Sequence, residues 1–181
     1  TAGRRVAHLM LYTPPHFLGR RDLAAQLIRA HPFATLITPG TEAIVTHAPL
    51  LLVEEGESWR LLGHVARANP QWQAWEKTST LLAIFSGGDA YISPALYTVR
   101  KAVPTWNYAV VHVCGKPKVS TDPDFTRTAL ADLVAEYESS RDKPWRAADL
   151  APDFFDKLIR AIVAFEMPIE KIEGKFKLGQ N

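Results

Sequence analysis

The chain has 181 residues, 47% of them hydrophobic and 22% charged, with one cysteine and a formal net charge of +2. That length suits one domain able to bury its own core, and the composition excludes a disordered chain or a coiled coil. No uninterrupted apolar run exceeds five residues, which excludes a transmembrane helix or signal-peptide core. The lone Cys114 excludes an internal disulfide framework and a cysteine-rich zinc site, and the expected location is the reducing cytoplasm.

Residues 1–9 read as a tag or disordered leader ahead of Met10, and 10–181 as a single domain. The basic excess sits in residues 1–31, where Arg4, Arg5, Arg20, Arg21 and Arg29 are the candidate patch for nucleic acid, Arg4 and Arg5 carrying little weight because they fall in the expected leader. Residues 21–30 are expected to form a helix that His31-Pro32 ends. Strands are expected at Phe33 to Thr38, Ala43 to Val53, Trp59 to Val65 and Thr80 to Phe85, with a short fifth at Ala90 to Ser93. The run Trp106 to Val119 predicts one bent strand or a tight pair, with Gly115 and Pro117 marking the bend. Asp122-Pro123 opens a helix carrying Phe125, Leu130, Leu133, Val134 and Tyr137 at helical spacing. A second helix is expected over 152–164, and a terminal strand over 166–178. Consecutive strands joined by short turns argue for an α+β chain built on an antiparallel sheet closed into a barrel.

Two segments carry candidate chemistry. In Leu61 to Trp72 a strand runs through a short loop into a helix, with Asn69 as N-cap and Pro70 at the first helical position. Free N–H groups at such a helix start favour an anion, Arg67 adds a planar fork for phosphate, and His64 adds a donor. The plainer alternative is a capped surface helix with Arg67 solvated and His64 hydrogen-bonded at a strand end. The second segment joins Tyr91, Ser93 and Tyr97 to Thr105, Trp106, Asn107 and Tyr108. Rings alternating with small polar side chains suit a planar aromatic ligand, or equally a barrel rim or subunit interface.

The six histidines make no metal motif, and no metal is expected. Cys114 reads as a buried, inert thiol. Nothing identifies a nucleophile or a general base, so the catalytic residues are unknown.

Six motifs occur in order: His31 to Leu36, Thr46 to Leu52, Leu62 to Trp72, Ala90 to Pro94, Val103 to Tyr108 and Ile172 to Asn181. Together they resemble the PaiB-type FMN-binding negative transcriptional regulators, over nearly the whole chain from Met10. The resemblance implies a mostly antiparallel split β-barrel of the pyridoxamine-phosphate-oxidase-like type with flanking helices. It implies a homodimer with FMN at each of two interface sites. By that analogy the phosphate maps onto His64, Arg67 and Asn69. The ring lies against Ser93, Thr105, Trp106 and Asn107, and the tail with Lys177 and Gln180 closes the site. Two departures stand out: Gly179 replaces an expected serine, and the stretch Thr98 to Ala102 is short. The implied function is FMN-dependent negative regulation of transcription, with direct DNA contact left open because no helix-turn-helix is visible. The alternative is an FMN-dependent oxidoreductase acting on a small molecule, the flavin supplying the chemistry.

Overall fold

The computed structural model describes residues 11–77, 80–98 and 102–180, with all their side chains except those of 148 and 152. The expected leader at 1–9 therefore lies outside the described residues, as do residues 99–101 of the short stretch and the terminal Asn181.

A two-residue strand β1 (Leu18–Gly19) precedes helix α1 (Arg21–Ala30). The helix buries Ala24, Ala25, Leu27 and Ile28, and Leu23 lies at the exposed margin. His31 closes it: its N–H donates to the Leu27 carbonyl at 2.8 Å, and its φ of −133° leaves helical geometry just before Pro32. Strands β2 (Phe33–Thr38), β3 (Ile44–Glu55) and β4 (Ser58–Ala66) follow. The β3–β4 hairpin turns at Gly56, whose φ of +60° is left-handed backbone that favours glycine. Then come α2 (Gln71–Trp75), β5 (Leu81–Ile92), β6 (Thr105–Gly115) and β7 (Lys118–Ser120). Helices α3 (Pro123–Glu138) and α4 (Pro152–Arg160) precede β8 (Ile162–Pro168) and β9 (Lys171–Lys177).

Three expectations are corrected. Thr80 to Phe85 and Ala90 to Ser93 are not separate strands: β5 runs through Ser86-Gly87-Gly88-Asp89, which form a bulge in the ladder rather than a turn. The run Trp106 to Val119 is neither one strand nor a pair, because β6 and β7 join different partners. β6 pairs with β5 and β9, whereas β7 pairs with β8. Gly115 makes that crossing possible, since a Cβ there would overlap the Pro168 carbonyl oxygen. Finally, residues 162–164 belong to β8, and the expected terminal strand divides into β8 and β9. Val163, Ala164 and Phe165 are all buried, and a short run buried on both faces has no periodicity to tell strand from helix.

Among the described residues nine strands, paired antiparallel, are ordered β1-β9-β6-β5-β2-β3-β4-β8-β7. β3 serves both halves: Ile44 to Pro49 pair with β2, and Leu50 to Glu55 pair with β4. One continuous core fills the interior. Leu36, Ala83, Phe85, Val111 and Val113 come from one half, and Leu61, Val65, Val163, Phe165 and Met167 from the other. Trp75 of α2 plugs one end against Phe165, with ring centroids 4.6 Å apart. Burying either side chain contributes about 1.5–3 kcal/mol. The result is a mostly antiparallel split β-barrel with flanking helices. Among the described residues no helix is long and apolar enough to cross a membrane.

Candidate functional site

Within the segment expected to hold phosphate, Arg67 and Asn69 are tied into the fold. The Asn69 carboxamide oxygen accepts the Gln71 N–H at 2.9 Å, and its nitrogen donates to Thr46 Oγ1 at 2.8 Å. Asn69 thus bonds the first turn, but α2 starts one residue later than expected, with Pro70 at the N-cap and Gln71 as the first helical residue, and it has only five residues. So short a helix has little dipole to offer an anion. Arg67 is not simply solvated: Nε donates to the Arg160 carbonyl at 2.7 Å and Nη2 to that of Ile162 at 2.8 Å. It clamps the α4–β8 turn, leaving Nη1 for an outside partner.

His64 lies on the β4 face that carries Leu62, which packs with Ala129 of α3 and Ala164 of β8. Its Nδ1 is buried without a hydrogen-bond partner, contrary to the strand-end bond of the plainer reading. Burial holds its pKa below the usual histidine value.

The second group does assemble. Ile92 pairs with Thr105, so the chain places Ser93 beside the start of β6. Ser93 Oγ accepts the Ala95 N–H at 3.2 Å and caps the short turn Pro94–Leu96. Lys177 Nζ donates to Thr105 Oγ1 and to the Trp106 carbonyl, the latter at 2.6 Å. Trp106 is 54% exposed and meets Tyr91 edge-on at 5.8 Å. Gln180 folds back on the tail, donating to the Phe176 carbonyl and accepting the Leu178 N–H, both at 2.6 Å. Gly179, at φ +88°, sits beside Asn107. Asn107 Oδ1 is buried and unpartnered. An orphaned acceptor among a lysine, a threonine and exposed rings fits a flavin, whose ring edge carries an N–H and whose faces are apolar.

Along the sheet the chain sets Asn69 and Asn107 far apart. Asn69 is bonded to Thr46, and the ladder carries the level of Thr46 through Leu36 and Ala83 to Val113. Asn107 lies six residues from Val113 along β6, about 20 Å at ~3.3 Å per residue, and β6 is three strands from β3.

Sequence reasoning missed Gln71, which is fully buried. Its Nε2 donates to Thr38 Oγ1 at 3.0 Å and to the Leu36 and Ile44 carbonyls at 3.2 and 3.1 Å. Only its helical spacing from Trp75 could have signalled an inward face. Among the described residues there is no cluster of three or more His, Cys, Asp or Glu able to hold a metal. Cys114 is buried, and burial raises its pKa.

The family model described as "Putative FMN-binding domain" matches residues 11–171. The chain is 32% identical over 173 residues to the "Protease synthase and sporulation protein PAI 2" of Bacillus subtilis, covering 94% of this chain and 83% of that one. Among solved structures it is similar to the flavocytochrome Anf3 of Azotobacter vinelandii, with TM-score 0.65, 18% identity, and 90% and 70% of the two chains covered. It is also similar to the FAD and heme binding protein of Mycobacterium smegmatis, with TM-score 0.66, 16% identity, and 90% and 74% covered. These two likenesses are likenesses of fold. The chain belongs to the PaiB-type FMN-binding family, and FMN is its cofactor.

Proposed function

We propose that the protein is a cytoplasmic FMN-binding regulator whose flavin lies at a homodimer interface. The observation that carries the reading is the distance between the two groups of site residues. Asn69, bonded to Thr46, stands at the level of Leu36, Ala83 and Val113, whereas Thr105, Trp106, Asn107 and Lys177 stand at the far end of β6. A flavin that touches both must take one group from each of two chains. The outward face of the sheet suits a second copy: Phe33 is 66% exposed and Val45 51%, beside the outward-facing Ile37 and Ile84. The lone buried cysteine supports the cytoplasm. The Bacillus relative, named for protease synthesis and sporulation, supports a regulatory role.

The described basic side chains favour regulation without broad DNA contact. Arg20 pairs with Asp22 and Arg29 with Glu54, while Arg21 lies 3.8 Å over the Trp59 ring and donates to the Glu57 carbonyl. A patch so compensated offers few free charges to phosphates.

The test is complementation between two variants, Arg67→Ala and Asn107→Leu, each weak in FMN binding alone. Co-expressed with different tags and purified as the mixed dimer, they regenerate one site with both native residues. One tight FMN per mixed dimer is expected. Uniformly weak binding, or a monomer by light scattering, overturns the shared site.

A further inference from the structure

We propose that a cleft between α3 and the outer face of β3 and β4 is a second ligand site, for a small uncharged aromatic molecule that donates one hydrogen bond to His64. This site goes beyond the flavin reading and shares one residue with it, His64, whereas Val134, Tyr137 and Trp145 line the hollow alone.

The cleft arises from how α3 sits on the sheet. At its first half Phe125 and Ala129 pack closely on Leu62 and Ala164. Toward its C-terminal half the helix leaves a hollow of about 260 Å³, walled by Pro49, His64, Leu133, Val134, Tyr137 and Trp145. Leu133, Val134 and Tyr137 lie at positions i, i+1 and i+4, so one flank of α3 faces the hollow. The wall is almost wholly apolar, and the volume suits one or two fused rings.

The polar groups in the wall define what fits. The Tyr137 hydroxyl donates to the Leu50 carbonyl at 3.0 Å and is already used. Glu138 is neutralised: Oε2 accepts the Trp145 N–H at 3.0 Å, and Oε1 lies 3.0 Å from Arg141 Nε. His64 Nδ1 alone is buried with no partner. Burial also disfavours the imidazolium, and in the neutral tautomer that carries its proton on Nε2 the ring presents Nδ1 as an acceptor. An apolar hollow with one unsatisfied acceptor and no free charge selects an uncharged ring with one N–H or O–H. Trp145, 44% exposed, stands at the rim and supplies a stacking face.

Indole is the probe, with indole-3-acetate as its charged counterpart, added to the FMN-loaded full chain. Calorimetry and imidazole nitrogen NMR are expected to show one indole per chain in the millimolar range or tighter, with a shift at His64. Indole-3-acetate should bind at least tenfold more weakly. Val134→Phe fills the hollow and should abolish indole binding with FMN affinity unchanged. His64→Leu keeps the volume and should weaken indole tenfold or more. Absence of binding at millimolar indole overturns the site, as does binding that survives Val134→Phe. Displacement of indole by FMN also overturns it, because the hollow would then belong to the flavin. FMN occupancy, read separately by absorption, tests the flavin reading whichever way indole behaves.

Discussion

Gln71 Nε2 donates to Thr38 Oγ1 at 3.0 Å, and the same hydroxyl accepts the Trp75 indole N–H at 2.8 Å. One threonine thereby receives two side chains of α2 and pins that helix into the mouth of the barrel. Gln71→Leu keeps the volume but removes the donor shared by Thr38, Leu36 and Ile44. The Gln71 carboxamide oxygen is itself buried without a partner, so the substitution relieves one unsatisfied group while creating others. A net loss of roughly 1–3 kcal/mol is expected, seen as a lower urea midpoint at constant slope. An unchanged midpoint would remove Gln71 from the account of barrel closure.

Arg67→Ala is expected to weaken FMN by about 1–3 kcal/mol, the scale of a charge-assisted bond to phosphate. The clamp on the Arg160 and Ile162 carbonyls is lost too, but Arg67 is exposed and water replaces it, so stability should fall far less than in Gln71→Leu. Flavin fluorescence titration and urea unfolding separate the two effects. Native FMN affinity in a folded Arg67→Ala protein rejects the phosphate role.

Asn107→Leu probes the other group. Its Oδ1 has no partner within the chain, so replacing the amide by an isosteric apolar group should leave the flavin-free protein as stable as before, or slightly more so. FMN affinity should drop about tenfold, the equivalent of ~1.4 kcal/mol for one hydrogen bond. A large loss of stability with no change in FMN affinity would make Asn107 a structural residue.

Acid should destabilise the fold through its half-buried histidines. Burial lowers the folded pKa of His64, and of His112 too, where neighbouring Glu173 partly opposes the shift. The unfolded chain takes up these protons near pH ~6.5, and the folded chain only at lower pH. Between those values the unfolded state binds more protons, so stability is highest above pH ~6.5 and falls as the pH drops toward the folded values. His64→Gln should flatten that decline in urea midpoints measured from pH 7.5 down to 5. An identical slope would show that His64 does not contribute.

Much of the barrel was readable from pattern. Phe33–Thr38 and Arg21–Ala30 match their expected limits, because Pro32 and Pro39-Gly40 punctuate the chain. Asp122 caps α3 as expected, accepting the Asp124 N–H at 3.0 Å. Legibility failed where tertiary packing overrides local signal. Gly87 and Gly88 fall between the two expected strands Thr80 to Phe85 and Ala90 to Ser93, yet neighbouring strands carry them through as a bulge. Val163 to Phe165 are buried on both sides of β8, so their spacing said nothing. In the candidate site, residue types that suit a flavin were visible, but the tasks that Arg67 and Asn69 perform within the chain were not. Both bond to segments far away in sequence, at 160–162 and at Thr46.

Pro49 marks where β3 exchanges one neighbour for the other without a break in the strand. The two halves of the barrel therefore share a single backbone rod, and neither can peel away while the other stays whole. Amide protons of β2 and β8, which never touch through a ladder, should thus exchange with solvent at a common, slowest rate set by global opening.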